Sequence, residues 1–333
     1  MKMYSEFMRE AIALAGQARN ITLPNPRVGA VVFDDNNCVL GRGYHKAFGS
    51  AHAEMEAIND AIKNGYSTKG ANLCVTLEPC NHQGKTPPCS EAIIKAGIKK
   101  IIVGTVDDCK DVCGCGANKL KEVGVEVVTG VLEEECRELN LGFHKFNRTG
   151  LPYVHLKHAV SLAGGKTGWF TGEKARKVVH EFRANSDLII TGVGTIKADD
   201  PKFNSRFKDE TIPNRVAILD AELELFEAYK NKTLNIFKVH NEVIVITKKG
   251  QRIKELEEKK IKIIETEVEG DKIKLSSLIP MLSKEYNYRE IFVEAGPSVV
   301  SSFLNDARNY VDRLTVFVAP KDSEDAVMLD RRF

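Results

Sequence analysis

Short apolar runs without polar alternation constrain this chain more than any other feature. Lys100-Lys-Ile-Ile-Val-Gly104 is the clearest of them. A strand with one wet face alternates polar and apolar residues, so a run that does not alternate is buried on both faces. Burying both faces takes helices on both sides of a parallel or mixed sheet. The neighbouring sequence supplies them. Residues 5–18 put Phe7, Ala11, Leu14, Ala15 and Ala18 on one helical face. Strands are predicted at 28–33, 39–44, 72–77, 100–106 and 125–129, and Asp34-Asp35-Asn36-Asn37 forms the first turn. Helices are predicted at 53–63, 89–96, 117–123 and 131–140. The second half alternates again, with strands at 153–160, 187–191, 214–220, 241–247, 261–265, 290–294 and 312–319. Helices at 172–184, 251–260, 275–285 and 297–307 lie between them. A chain of 333 residues suits two domains of about 100–200 residues each. The turn-rich Asn147-Arg-Thr-Gly-Leu-Pro152 divides it into residues 1–146 and 147–333.

Charge and hydropathy then exclude several classes. Lys and Arg total 48 against 46 Asp and Glu, a net +2, which argues against a dedicated nucleic-acid binder. No stretch approaches the roughly 18 apolar residues of a membrane helix. The N-terminal apolar stretch Ala11–Ala15 is too short for a secretion signal, so a reducing cytoplasm is the expected compartment. Eight cysteines in so long a chain then point to metal or chemistry rather than to a disulfide scaffold.

That chemistry is concentrated in His52-Ala-Glu54, Pro79-Cys80 and Pro88-Cys89. One imidazole and two thiolates are ligands that Zn²⁺ prefers, and three protein ligands leave a fourth position open. A structural zinc is the rival reading, but such sites are normally closed by a fourth protein ligand. Zinc lowers the pKa of a bound water to roughly 7. Glu54, two residues after His52 at a helix start, can move that water's proton to a leaving amine. His-x-Glu followed by Pro-Cys and a second Cys is the signature of zinc deaminases. Here eight residues separate Cys80 from Cys89, against two in the usual nucleoside and nucleic-acid deaminases. The enlarged loop carries His82 and Lys85, which suit an anionic group such as a phosphate. Cys109, Cys113 and Cys115 could form a second metal site, but no fourth ligand is evident and free thiols are the simpler account.

With Thr22-Leu-Pro-Asn-Pro-Arg-Val-Gly-Ala30, Gly43-Tyr-His45, His52-Ala-Glu54 and Leu77-Glu-Pro-Cys-Asn-His-Gln-Gly-Lys-Thr-Pro-Pro-Cys89, the first half resembles the deaminase part of the bifunctional riboflavin biosynthesis deaminase-reductase family. The resemblance runs from about residue 4 to about residue 320 and implies a cytidine-deaminase-like α/β/α domain. It implies 2,5-diamino-6-ribosylamino-pyrimidinone 5′-phosphate as substrate. Asn25, His45 and Asp107 would hold that substrate, with His82 and Lys85 near its phosphate. Where the family has Asp-Pro-Asn-Pro, this chain has Asp107-Asp108-Cys109-Lys110.

No Gly-x-Gly-x-x-Gly opens a βαβ unit in the second half. Gly165-Lys166-Thr167 fails the Walker pattern because position 160 is Val. Leu156-Lys157, Ser161-Leu162, Phe182-Arg183-Ala184, Gly192–Pro201 and Val293-Glu-Ala-Gly-Pro297 are similar to the family's reductase part. That part is a dihydrofolate-reductase-like α/β domain using NADPH. Ala159, Trp169, Thr195, Asp199, Gly296, Pro297 and Ser298 would meet NADPH, the last three at a helix start suited to phosphate. Arg183, Phe203, Arg206 and Glu294 would meet the substrate, arginine suiting its phosphate through bidentate bonding.

Three departures bear on this half. Ser161-Leu-Ala-Gly-Gly-Lys166 replaces the family's Ser-Leu-Asp-Gly-Lys, and a stretch before Trp169 is missing. The domain is also expected to lack its C-terminal end beyond the strand ending near Ala319, leaving an open sheet edge. The expectation is a cytoplasmic bifunctional enzyme holding one zinc and NADPH, acting on a small phosphorylated pyrimidine. It would have no nucleic-acid or membrane partner and would be a homo-oligomer through the reductase domain. A deaminase with a weakened reductase half is the alternative. A nucleic-acid-editing deaminase module is the alternative of another class.

Overall fold

The structure, a computed structural model, describes residues 2–81, 87–108, 115–162, 172–207, 210–226, 234–240, 242–250, 261–319 and 326–333. It divides into two compact units, Met1–Thr149 and Gly150–Phe333. The division falls three residues after the sequence boundary, because a helix runs through the turn-rich stretch to Thr149 and ends at Gly150, whose φ is +71°. Only glycine adopts such a φ without strain.

The first unit contains α1 (Lys2–Ala15), β1 (Gly29–Phe33), β2 (Val39–Tyr44), α2 (Ala53–Lys63), β3 (Asn72–Leu77) and α3 (Cys89–Lys95). β4 (Lys100–Thr105), α4 (Cys115–Glu122), β5 (Glu126–Thr129), α5 (Glu133–Glu138) and α6 (Leu141–Thr149) follow. Its sheet order is β2-β1-β3-β4-β5, with β1 antiparallel to both neighbours and β3, β4 and β5 parallel. The non-alternating runs are buried on both faces. Ala30, Val32, Leu73, Val75, Ile101 and Val103 pack with Ala53, Ala57 and Ala61 of α2. Val31, Phe33, Cys74 and Ile102 face the other way, onto Phe7, Met8 and Ala11 of α1. Each of the Val, Leu, Ile, Phe and Met side chains among these contributes about 1.5–3 kcal/mol on burial. Helix α2 lies directly on the backbone of β2. A Cβ at Gly43 would come within 2.3 Å of the Ala57 nitrogen and 2.5 Å of the Ala53 carbonyl. This close approach fixes the start of α2, and with it His52 and Glu54.

The second unit is built on β6 (Tyr153–Ser161), α7 (Glu173–Asn185), β7 (Leu188–Gly192), α8 (Val193–Asp199) and β10 (Val216–Leu219). β11 (Val243–Lys248), β12 (Ile261–Thr266), β15 (Glu290–Glu294), β16 (Val311–Ala319) and β17 (Val327–Arg332) complete its main sheet. Two hairpins, β8–β9 (Ser205–Phe207 with Glu210–Ile212) and β13–β14 (Val268–Glu269 with Lys272–Ile273), flank it. The eight-stranded order is β12-β11-β10-β7-β15-β6-β16-β17, and all pairs are parallel except β16–β17. Helices Leu275–Lys284 and Pro297–Asp306 cover one face and α7 the other.

One further strand, β17, follows the last strand read from the sequence, 312–319, and forms the edge of the sheet. Its apolar stretch is only Val327-Met328-Leu329, followed by charges, so the sequence carries little strand signal. Cross-strand contacts define it instead. Arg313 forks onto Asp330 at 2.8–3.1 Å, and the Thr315 hydroxyl donates to Asp330 at 2.7 Å. The expected helix at 251–260 lies outside the described residues.

Candidate active sites

The three expected metal ligands stand at strand–helix junctions of the first unit. His52 precedes the first residue of α2, Cys80 follows β3, and Cys89 opens α3. The His52 Nδ1 and both sulfurs lie within 4.8 Å of one another. Nδ1 is 3.2 Å from Cys89 Sγ and 3.6 Å from Cys80 Sγ. The Cys89 amide donates to Cys80 Sγ at 3.4 Å, and the Ser90 amide donates to the Cys80 carbonyl at 3.2 Å. Hydrogen bonds from the Cys89 thiol and from His52 hold the Cys80 thiol well below the usual thiol range, so the set offers thiolate as well as imidazole. That donor chemistry and convergence fit zinc, with one tetrahedral position left over.

Glu54 is buried beside these ligands. Burial, then the negative charge of Cys80, pushes its carboxyl above the usual carboxylate range. Raised carboxyl pKa values of this kind mark proton carriers. Asn25 and His45 are brought together: the Asn25 amide donates to His45 Nε2 at 3.3 Å, and His45 Nδ1–H donates to the Ala51 carbonyl at 3.0 Å. Burial lowers the His45 pKa, which suits this neutral tautomer. Asp107 accepts from the Asn147 amide at 3.3 Å. His82 and Lys85 lie outside the described residues, as do Cys109 and Cys113, while Cys115 is exposed.

Sequence reading missed Glu78. This buried carboxylate accepts from the Asp107 amide at 3.2 Å and the Ala117 amide at 3.0 Å. It ties the ligand loop to the Asp107 loop. A Cβ at Gly116 would sit 1.9 Å from the Pro79 carbonyl, so α4 starts against the same loop.

In the second unit a cleft of about 1770 Å³ opens at the carboxyl ends of β6, β7, β10 and β15. Parallel α/β sheets place ligands at this end. Every described residue that the sequence assigned to this half lines the cleft: Ala159, Thr195, Asp199, Gly296, Pro297 and Ser298, with Arg183, Phe203, Arg206 and Glu294. Trp169 lies outside the described residues. The Gly296 amide donates to the Thr195 hydroxyl at 3.2 Å, fixing the turn before the helix Pro297–Asp306.

The Arg183 fork is engaged by Glu294 within the cleft lining. Its Nε and Nη2 donate to the two Glu294 oxygens at 2.7 and 2.9 Å, and Nη1 donates to the Asn204 carbonyl at 3.0 Å. The guanidinium also covers the Phe203 ring at 5.4 Å. Phe203 has φ +48°, a conformation costing about 1–3 kcal/mol for a bulky residue. Lys157, unassigned by the sequence reading, stands 3.6 Å from Glu294. Its sequence signals are the Leu156-Lys157 pair similar to the family's reductase part and the period of two that puts it on the same face of β6 as Ala159. Burial pushes the Glu294 carboxyl up, but Arg183 and Lys157 outweigh burial and bring it to about 2.

Comparison with known proteins finds a match for each unit. The family of the cytidine and deoxycytidylate deaminase zinc-binding region matches residues 1–105, and the RibD C-terminal domain matches residues 152–321. The riboflavin biosynthesis protein RibD of Aquifex aeolicus is 40% identical over 323 residues, covering 95% of this chain and 86% of the relative. That of Escherichia coli is 34% identical, covering 95% and 87%. A diaminohydroxyphosphoribosylaminopyrimidine deaminase/5-amino-6-(5-phosphoribosylamino)uracil reductase from Thermotoga maritima superposes with a TM-score of 0.82. It is 35% identical, covering 95% of this chain and 86% of that structure. These matches span both halves, which disfavours a deaminase alone, and the first unit has the cytidine-deaminase-like fold and the second the reductase fold. Among the described residues no helix is long and apolar enough to cross a membrane. The chain belongs to the RibD family of riboflavin biosynthesis proteins.

Proposed function

We propose that the first unit deaminates 2,5-diamino-6-ribosylamino-pyrimidinone 5′-phosphate and that the second reduces the ribosyl group of the product to ribityl. The observation that carries this reading is the convergence of His52, Cys80 and Cys89 beside buried Glu54. Zinc held by His52, Cys80 and Cys89 would supply the Lewis acidity that lowers the pKa of the attacking water. Glu54 takes a proton from the attacking water and returns it to the departing amine, so that water adds, ammonia leaves and protons balance. Its raised pKa suits a carboxyl that carries the proton between the two. Asn25, His45 and Asp107 hold the pyrimidine, and His82 and Lys85 take the phosphate.

In the second unit Ala159, Trp169, Thr195, Asp199, Gly296, Pro297 and Ser298 hold NADPH. When bound, this cofactor supplies the hydride. Arg183 keeps Glu294 ionised and oriented in the cleft wall. The substrate phosphate then falls to Arg206, with Phe203 beneath the Arg183–Glu294 pair. We place the enzyme in the cytoplasm, with copies paired through the second unit. The exposed Val327, Met328 and Leu329 of edge strand β17 support the pairing.

Assaying the half-reactions separately on the purified chain tests the reading. Ammonia release from the ribose phosphate and NADPH oxidation with the deaminated compound are both expected, with about one zinc per chain. Deamination of single-stranded nucleic acid in place of the ribose phosphate would overturn it.

A further inference from the structure

Helix α6 closes the first unit, and three polar side chains, one just before it and two on it, share one face. Asn140, just before it, His144 and Asn147 are spaced i, i+4 and i+7, which aligns them along a helix. Each grips a loop of the deaminase site. Asn140 accepts from the Arg27 amide at 2.7 Å and donates to the Arg27 carbonyl at 2.8 Å, two residues beyond Asn25. Asn147 donates to Asp107 at 3.3 Å. Between them, His144 Nδ1–H donates to Asp108 Oδ2 at 3.1 Å. Arg137 of α5 closes on the same carboxylate with two bonds, 2.8 and 3.2 Å long.

We propose that the Asp108–His144 contact is the central positioning element of the deaminase site, through which α6 sets Asp107 against the substrate. The proposal deepens the deaminase reading above and rests on it. Asp108 follows Asp107 directly, so fixing its carboxylate fixes the peptide that aims Asp107. Two cationic or N–H partners from α5 and α6 hold that carboxylate from its two oxygens, while Glu78 holds the Asp107 amide from the other side. The contact is made by a buried neutral imidazole: burial holds the His144 pKa down against the pull of Asp108. With Nδ1 donating, Nε2 is left as an acceptor, and it is a buried polar atom with no partner among the described residues. One strong, oriented bond to Asp108 is therefore what this imidazole does in the fold. The i, i+4, i+7 face also reaches the Arg27 loop, so one helix sets the two loops that carry Asn25 and Asp107 relative to each other.

The test uses the full chain, with steady-state deamination, zinc content and NADPH oxidation measured on each variant. His144→Ala and Asp108→Asn are expected to raise the deaminase KM about tenfold with kcat within about twofold, the pattern of lost substrate positioning. His144→Asn, which keeps a donor at the Nδ1 position, is expected to restore KM to within about threefold. Zinc content and NADPH oxidation are expected to stay at wild-type values in all three. Unchanged KM in both His144→Ala and Asp108→Asn overturns the proposal. So does loss of zinc or of NADPH oxidation alongside deamination, which makes the contact a folding element. Wild-type chain that fails to deaminate overturns the functional reading and this inference together, whereas fully active variants overturn the inference alone.

Discussion

Glu54 and Glu294 are both largely buried carboxylates at the heart of a site, and their surroundings push them in opposite directions. Glu54 is buried and has a sulfur anion for a neighbour, and these outweigh the donors beside it, so it holds its proton more tightly than a carboxyl in water. Glu294 has a guanidinium fork and an ammonium, so it stays ionised to about pH 2. The same side chain is suited to carrying a proton in one unit and is held as a fixed anion in the other. Environment, rather than residue type, assigns the role. The sites also differ in reach along the chain. The zinc set is gathered from residues 52–89, on two strand–helix junctions. The reductase cleft is gathered from residues 157–302, at the ends of four strands. A metal site needs a few ligands of fixed type, whereas a cofactor cleft needs a shape that many residue types can line.

The strongest way to break this contrast is at Glu54. Glu54→Gln is expected to keep zinc and lower deamination about 10²–10⁴-fold, since it removes proton transfer without removing a ligand. His52→Ala is expected to lose zinc and deamination together, which elemental analysis separates from the first case. An active Glu54→Gln enzyme would end the assignment of Glu54 as proton carrier.

A smaller effect is expected from the paired anion. Arg183→Met leaves the Glu294 charge with Lys157 alone, and breaking a buried pair from one side typically costs about 3–5 kcal/mol. The loss belongs to residues 150–333 and is read as faster hydrogen exchange there. Deamination is expected to be unchanged. An equal loss in both units would show that Glu294 is not the locus.

The smallest effect is one of pH. The folded-state pKa of Glu294 lies below its ordinary value of 4.5, at about 2. Its contribution to stability is therefore present above about pH 4.5 and is lost as pH falls toward 2. Wild type should exceed Glu294→Gln in stability at neutral pH, and the gap should close across that window. Denaturant unfolding at stepped pH values measures it. A gap that stays constant down to about pH 2 would remove the ionised anion from the account.

The strands were legible because unalternated apolar runs leave few folds open, and β2, α2, β3 and β15 begin and end at the predicted residues. The zinc ligands were legible because their chemistry restricts both residue type and order. Strand β17 was not, because its definition lies in Arg313 and Thr315 on a neighbouring strand. Nor was the bond between Arg183 and Glu294, which sequence reading placed separately against the substrate. Their separation in sequence is 111 residues, and only the packing of α7 beside β15 brings the fork onto the carboxylate. The grip of α6 on Asp108 has the same origin. Sequence alone determined which side chains could do the chemistry, because that depends on their own functional groups. Tertiary structure decided which of them face each other, because charge, hydrogen bonding and burial act through space between residues far apart in the chain.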